Sequence, residues 1–346
     1  MQRLIYLDII RICACLCVLI IHFNASVSGY DIFGNFTYPN HLIPNNYFGC
    51  YLGEIGVWLF FLLSGACLQY VTQGKTISLV SFYKKRWLSI FPLYYVTFFI
   101  FTLFSFMWYK GYPNFKIGHL LSSFLGIDGY LMAMRHIGYE TYQCGEWFLG
   151  CILALYIIYP LLSFAANKSP RLTALITLVV YWLLINSGID DFWFFLQIPS
   201  LLLGIFFIKY FRTALSWKLW LPTIIMLLFR AFWGSLLPHH TIVLITVWFL
   251  FLSITLITEI IDKYTTVFQS EKVMSNLAFV SIMTYPLFLV HHKIIIVMAA
   301  EFDLANFPYR NTVLLFFVYM IVTYMVAYCF YRVEKRIRFL FARTKN

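Results

Sequence analysis

Long apolar stretches, each close to 20 residues, recur along the whole chain and are separated by shorter polar segments. An α-helix needs about 20 mostly apolar residues to cross the hydrocarbon core of a bilayer. Ten stretches meet this length: 4–24, 49–72, 91–109, 147–165, 172–188, 192–209, 217–236, 240–260, 277–299 and 311–332. Their apolar residues do not alternate with polar ones, as they would in the strands of a membrane barrel. The pattern predicts an all-α fold: a polytopic membrane helix bundle of about ten transmembrane helices, forming one domain over residues 1–346.

Composition supports this prediction and excludes other classes of protein. Hydrophobic residues make up 62% of the chain and charged residues only 11%, whereas soluble domains carry roughly 25% charged residues. A soluble enzyme, a disordered protein and a secreted disulfide scaffold are therefore excluded. The first apolar stretch contains Asp8 and Arg11 and no cleavage site, so we interpret it as a permanent helix rather than a signal peptide. The eight cysteines show no metal-ligand spacing, and a disulfide between Cys50 and Cys144 is left open.

The net charge of +11 follows from the way membrane helices insert. Lys and Arg accumulate in cytoplasmic segments, and 18 of the 25 lie on one side of the predicted topology against five on the other. We therefore expect both termini in the cytoplasm, a multi-pass protein of the cell (plasma or inner) membrane, and no nucleic-acid partner.

Two segments are neither ordinary loops nor clean spans. Residues 73–90 are basic and amphipathic, and we expect them at the inner surface before Pro92. Residues 110–146 form a long outer segment, which predicts a functional or partly re-entrant element, such as the lid or wall of an outward-facing site.

The first helix carries three ionisable residues, Asp8, Arg11 and His22. Ionisable residues inside a span cost roughly 2.5–3.5 kcal/mol each and commonly mark function. Arg11 and His22 differ by about 20° around a helix and lie about 16 Å apart along it, and Asp8 is one turn before Arg11. The alternative is that Asp8 and Arg11 reach the interface and that His22 bonds a neighbouring helix. Three such residues on one stripe favour a site in which His22 acts as base or nucleophile and Arg11 binds anionic oxygens.

Five motifs in order along the chain resemble the acyltransferase-3 family of membrane acyltransferases. LDIIR, ten residues and His22 resemble its first-helix Arg-(ten residues)-His pattern. The other motifs are FFLLSG (60–65), FYKKRWLSIFPLYY (82–95), EWFLGCILALYIIYPLL (146–162) and YPLFLVHH (285–292).

The resemblance implies transfer of an acyl group, usually acetyl, from cytoplasmic acyl-CoA to a carbohydrate hydroxyl of the bacterial cell envelope. Acetyl-CoA would be a donor substrate, with no bound cofactor and no metal. His22 would be the catalytic base or transient acyl carrier and Arg11 its partner, paired with Asp8. The CoA phosphates would meet a basic cluster of Lys84, Lys85 and Arg86. The candidate acceptor or support residues are Glu146, Trp147 and His291.

Two positions depart from the family pattern. Ser89 stands where many members have a second Arg, and Gly150 and Cys151 stand where many have a Glu. Without an appended extracellular domain, the chain resembles the branch that modifies polysaccharides or their precursors. A homo-oligomer is left open.

Other candidates and functions carry weaker signals. Glu54, His292 and Lys293 lie in or at the ends of spans, whereas His239–His240 is expected in an outer loop. Three tryptophans suit either sugar stacking or an interfacial belt: Trp58, Trp108 and Trp147. Gly65 is interpreted as close helix packing. A transporter or flippase for a lipid-linked sugar is the first alternative function, but no repeat of the first-helix stripe occurs in the second half. A non-catalytic component of a polysaccharide assembly complex is the second.

Overall fold

The computed structural model of the chain describes residues 3–29, 40–108, 117–133, 144, 146–187, 193–304 and 307–343. Helices dominate these residues, as predicted. In chain order they are α1 (Ile5–Val27), α2 (Leu52–Thr72), α3 (Leu79–Trp108), α4 (Ile117–Phe124), α5 (Asp128–Ala133), α6 (Glu146–Lys168), α7 (Pro170–Ser187), α8 (Trp193–Leu196), α9 (Ile198–Tyr210), α10 (Trp217–Trp233), α11 (His239–Tyr264), α12 (Glu271–Ala299) and α13 (Tyr309–Arg343). Two short antiparallel strands, β1 (Asn46–Tyr47) and β2 (Cys50–Tyr51), precede α2.

Within the described residues, nine helices are long and apolar enough to cross a membrane. They coincide with nine of the ten predicted stretches and confirm the polytopic helical fold. The remaining stretch, 192–209, forms the short helices α8 and α9, because the chain turns at Gln197 and Pro199 begins the new helix. Thirteen residues of α9 extend only about 20 Å, less than the hydrocarbon core requires.

One helix departs from the expected boundary. The basic stretch up to residue 90 was expected to be distinct from the third span, but α3 is a continuous 30-residue helix that includes Pro92. A proline removes one backbone hydrogen bond, which helices in a membrane tolerate when neighbouring groups compensate. The basic residues therefore lie in the first turns of the same helix.

The chain divides into two compact units. The first comprises Met1–Cys17, Asn46–Leu79 and Ile152–Ser281, and the second comprises Val18–Asn45, Val80–Cys151 and Ile282–Asn346. Helices α1, α6 and α12 each contribute a segment to both units.

In the first unit, α2 and α9 pack with their backbones close together at two glycines. A Cβ added at Gly65 would lie 2.0 Å from the carbonyl oxygen of Leu201, and one at Gly204 would lie 2.0 Å from that of Leu62. No side chain fits at either position, because the obstructing atoms are backbone. This geometry confirms the interpretation of Gly65 as a helix-packing residue.

In the second unit, the short helices α4 and α5 form a folded part of the long outer segment. The Tyr94 hydroxyl, half-way along α3, donates a 2.5 Å hydrogen bond to the carbonyl of Ser123, whose own hydroxyl donates to Asp128 at 2.9 Å. On the other side, a Cβ added at Gly150 of α6 would lie 2.5 Å from the Cβ of Tyr130. The described part of the segment therefore packs on α3 and α6. Its residues His136 and Glu140 lie outside the described residues.

Candidate functional site

The candidate site residues of α1 fall into two clusters, one in each unit. In the first unit, Asp8 is buried, with 7% of its surface exposed. It accepts hydrogen bonds from Arg3 Nε at 2.5 Å and from Ser281 Oγ at 2.6 Å. The Arg3 bond also raises the pKa of the Arg3 guanidinium. Arg11 Nη1 lies 3.9 Å from the same carboxylate, so the predicted Asp8–Arg11 pair is formed.

Arg11 is held by two further groups. Its Nη1 donates to Ser281 Oγ at 3.2 Å, and its Nη2 donates to Cys67 Sγ at 3.3 Å. About a third of the Arg11 side chain is exposed, so the guanidinium is oriented without being covered. Ser281 and Cys67 carry no signal in the sequence that relates them to Arg11, from which they are 270 and 56 residues away.

The second cluster consists of three histidines in the second unit. The His22 ring centroid lies 5.0 Å from that of His291 and 4.5 Å from that of His292. His291 is fully buried, and its ring also contacts Phe288 at 5.8 Å. The Phe288 ring in turn contacts Phe148 of α6 at 5.3 Å. The prediction named His291 as a candidate support residue and treated His292 as weaker, but both contact His22.

The hydrogen bond of His291 assigns its tautomer. Nδ1 lies 2.7 Å from the backbone carbonyl of Phe288, which can only accept a hydrogen bond. Nδ1 of the neutral ring therefore carries the proton, and Nε2 carries the lone pair. A basic nitrogen of His291 thus belongs to the cluster that also contains the His22 and His292 rings.

The predicted donor cluster does not converge on one face of α3. Lys84 and Lys85 are exposed, whereas Arg86 is half-buried with its guanidinium 5.9 Å from the Phe82 ring centroid. Successive helical residues point about 100° apart, so the three cations spread over more than half of the helix circumference. Ser89 donates a hydrogen bond to the Arg86 carbonyl at 2.8 Å, which is a local helix contact.

The remaining candidate site residues lie at the start of α6. Glu146 is the first residue of the helix, but its side chain lies outside the described residues, as does that of Trp108. Trp147 is partly exposed. Gly150, which with Cys151 stands where many family members have a Glu, has no room for a side chain because Tyr130 packs against it.

A third polar group lies in the first unit, where α2, α10 and α11 meet. His239 Nε2 contacts Glu54 Oε2 at 2.9 Å, and the His240 ring stacks on Trp58 at 6.0 Å. Trp58 is 2% exposed, so its ring is not available to stack on a sugar. Beside this group, Arg230 Nη1 donates to Thr246 Oγ1 at 2.5 Å.

Two points concern metal and disulfide chemistry. Across the part of the chain that the structure describes, no three His, Cys, Asp or Glu side chains are arranged to hold a metal ion. Both Cys50 and Cys144 are thiols rather than halves of a disulfide. The Cys50 sulfur lies 3.4 Å from Thr246 Oγ1, and burial raises the pKa of this thiol.

Comparison with known proteins defines the class. A family model described as an acyltransferase domain matches residues 4–332, nearly the whole chain. The chain therefore belongs to the acyltransferase-3 family, which confirms the resemblance drawn from the five motifs, and its fold is that of a multi-pass membrane acyltransferase.

A relative of known name adds to this finding. Acyltransferase MdmB of Streptomyces mycarofaciens is 32% identical over 124 residues, covering 34% of this chain and 30% of the relative. The aligned region is thus less than a third of that protein. No solved structure matches the chain.

Proposed function

We propose that this chain is an O-acyltransferase of the cell (plasma or inner) membrane that moves an acetyl or other short acyl group from cytoplasmic acyl-CoA to a carbohydrate hydroxyl of the cell envelope. The observation that carries the proposal is the contact of His22 with His291 and His292 inside a membrane helix bundle. Membership of the acyltransferase-3 family supports the reaction type. The donor and the acceptor come from the resemblance of the motifs, and the experiment below tests both.

In the proposed reaction, His22 acts as the general base. It takes the proton of the sugar hydroxyl while the hydroxyl oxygen attacks the thioester carbonyl. The carbon–sulfur bond then breaks, and the leaving thiolate receives the proton back from His22. In the second route, a His22 nitrogen attacks the thioester carbonyl, the carbon–sulfur bond breaks and the thiolate leaves. The sugar hydroxyl then attacks the acyl carbon, the bond from this carbon to the His22 nitrogen breaks, and the hydroxyl proton passes to the thiolate. Both routes need a neutral imidazole at the start.

The two neighbouring imidazoles have distinct roles in this proposal. The Nδ1–H group of His291 donates a hydrogen bond to the Phe288 carbonyl. Its Nε2 lone pair then stabilises the protonated His22 ring. His292 lies nearer, at 4.5 Å between centroids, and fixes the orientation of His22. Both are positioning residues, since they act through His22.

The charged residues are assigned to the donor. Helix α1 is continuous from Ile5 to Val27, so Arg11 and His22 share one face of it. Arg11, oriented by Asp8 and Ser281, is proposed to bind an anionic or carbonyl oxygen of the donor. Lys84, Lys85 and Arg86 are proposed to attract the CoA phosphates, and Arg86 is the least exposed of the three. Glu146 and Trp147 remain candidates for acceptor contacts.

The test uses the purified full-length protein in lipid nanodiscs, incubated with radiolabelled acetyl-CoA and a panel of envelope glycans. We expect label in a glycan with the wild type and a loss of at least 100-fold with His22→Asn, since a positioned base contributes roughly 10²–10⁴. His239→Asn is the matched control, because that histidine lies in the first unit, and it should retain activity. Near-normal turnover of His22→Asn would remove this residue from the mechanism. Glycan transport in vesicles without label transfer would favour the flippase alternative.

A further inference from the structure

The last helix continues beyond the apolar stretch as a basic, amphipathic extension. About 19 residues from Val313 to Tyr331 extend about 28 Å, close to the thickness of the hydrocarbon core. The Tyr324 and Tyr328 rings stack at 6.2 Å, and the Arg332 guanidinium lies 5.7 Å from the Tyr328 centroid. Aromatic rings followed by a cation are typical of the membrane–water interface. The boundary of the bilayer therefore falls close to Arg332.

Immediately past this boundary, three cations share one face of α13. An open surface pocket of about 280 Å³ is lined by Arg332, Lys335, Arg336 and Phe339, whose spacing of three and four residues places them side by side. Arg332 Nη1 donates to the Tyr328 hydroxyl, and Lys335 lies 4.8 Å from the Tyr331 centroid. Within residues 307–343, none of the three forms an ion pair with a carboxylate. The helix's own carboxylate, that of Glu334, is buried and pairs with Arg338 instead.

The same extension exposes apolar side chains. Val333, Ile337 and Phe339 are 41%, 37% and 57% exposed. A helix in free cytosol would place these groups in water, whereas one at the level of the headgroups buries them among acyl chain ends. The rise from Arg332 to Arg336 is about 6 Å, which matches the headgroup layer on one side of a bilayer. These side chains favour a lipid over a soluble nucleotide as the source of the phosphate.

We propose that the pocket formed by Arg332, Lys335, Arg336 and Phe339 binds the phosphate of an anionic phospholipid headgroup. The guanidinium and ammonium groups donate to the phosphate oxygens, and Phe339 contacts the adjoining apolar part of the lipid. The last three of these residues lie beyond residue 332, where the family match ends. The proposal does not depend on the acyl transfer reaction.

The test is native mass spectrometry of the full-length protein in neutral detergent, titrated with phosphatidylglycerol, phosphatidylcholine or CoA. The test variant carries Arg332→Gln, Lys335→Gln and Arg336→Gln. The matched control carries Lys218→Gln, Lys263→Gln and Lys272→Gln, three exposed cations of the first unit. We expect the test variant to lose at least tenfold in phosphatidylglycerol affinity, since each cation near an anionic lipid surface is worth about fivefold. Phosphatidylcholine binding should stay unchanged, and the control should stay within twofold of the wild type.

Three results would overturn the proposal. The first is wild-type phosphatidylglycerol affinity in the test variant, and the second is an equal loss in the control, which would make net charge the cause. The third is a loss of CoA affinity with unchanged lipid affinity, which would make the pocket a nucleotide site. If the test variant does not fold, Lys335→Gln alone should lose about fivefold, whereas Arg332→Lys with Arg336→Lys should stay close to the wild type. Wild-type phosphatidylglycerol affinity of the single variant Lys335→Gln would also refute the proposal.

Discussion

Replacing Gly65 by alanine is expected to force α2 and α9 apart. The added Cβ would lie 2.0 Å from the Leu201 carbonyl oxygen, whereas close carbon–oxygen contacts are about 3.3 Å or longer. The helices must therefore separate by roughly 1.3 Å at this point. A gap of 0.5–1 Å already loses a quarter to a half of the dispersion energy of the atoms that line it. Because overpacking typically costs about 1–3 kcal/mol and the obstructing atom is backbone, we expect a loss of about 2–3 kcal/mol.

Thermal unfolding of the detergent-purified protein measures this loss, with a thiol-reactive dye reporting exposure of the buried cysteines. At roughly 2–4 °C per kcal/mol, Gly65→Ala should lower the apparent melting temperature by about 4–12 °C. Gly234→Ala is the control, because the nearest atom to its added Cβ is the Arg230 Cγ at 3.8 Å, and it should melt like the wild type. Gly204→Ala should lower the melting temperature as much as Gly65→Ala. The loss of stability in the double variant should be smaller than the sum of the two single losses, since one separation of the helices relieves both contacts. Equal melting of Gly65→Ala and Gly234→Ala would refute the packing argument.

Three further predictions concern function and pH. His292→Asn should lower kcat about 10-fold or more with little change in KM and shift the pH–rate profile, with His240→Asn as the control; an unchanged profile would contradict the positioning role. Arg11→Gln should raise KM for acyl-CoA, and Arg11→Lys should restore only part of it because the bidentate geometry is lost; equal donor KM in all three proteins would contradict donor binding. Burial raises the pKa of Asp128, so its contribution to stability is present below its ordinary pKa and is lost as the pH rises through the raised value. Asp128→Asn, whose amide oxygen still accepts from Ser123, should therefore melt higher than the wild type at pH 7 and lose this advantage in acid; a lower melting temperature at pH 7 would contradict this.

The spans were predictable because the bilayer imposes one requirement, a long apolar stretch. Whether a segment meets this requirement can be read directly from its own residues. The same criterion could not detect the break at Gln197, since a shorter helix packed within protein has the same composition as a span. It also misplaced the start of α3. Pro92 ends a helix in water, but in a membrane the remaining hydrogen bonds of the backbone have no competing solvent.

The site was predictable only in part, for a related reason. Asp8, Arg11 and His22 could be found because each is costly in an apolar helix. Their partners carry no such local signal: Ser281 is a small polar residue 270 positions from Arg11, and contacts at that separation depend on tertiary packing. The spread of Lys84, Lys85 and Arg86 around α3 follows from helix geometry, and it appeared only once the segment was known to be helical.

The division of α1, α6 and α12 between both units has a consequence for biosynthesis. Asp8 emerges from the ribosome first, whereas Ser281, which completes its hydrogen bonding, emerges 273 residues later. The first unit is therefore incomplete until Ser281 has been translated, and a truncated product ending before α12 would leave the Asp8 carboxylate short of a donor. Quality-control proteases in the cell should degrade such truncated products. A version of this protein made from two genes should therefore accumulate only when both fragments are synthesised together.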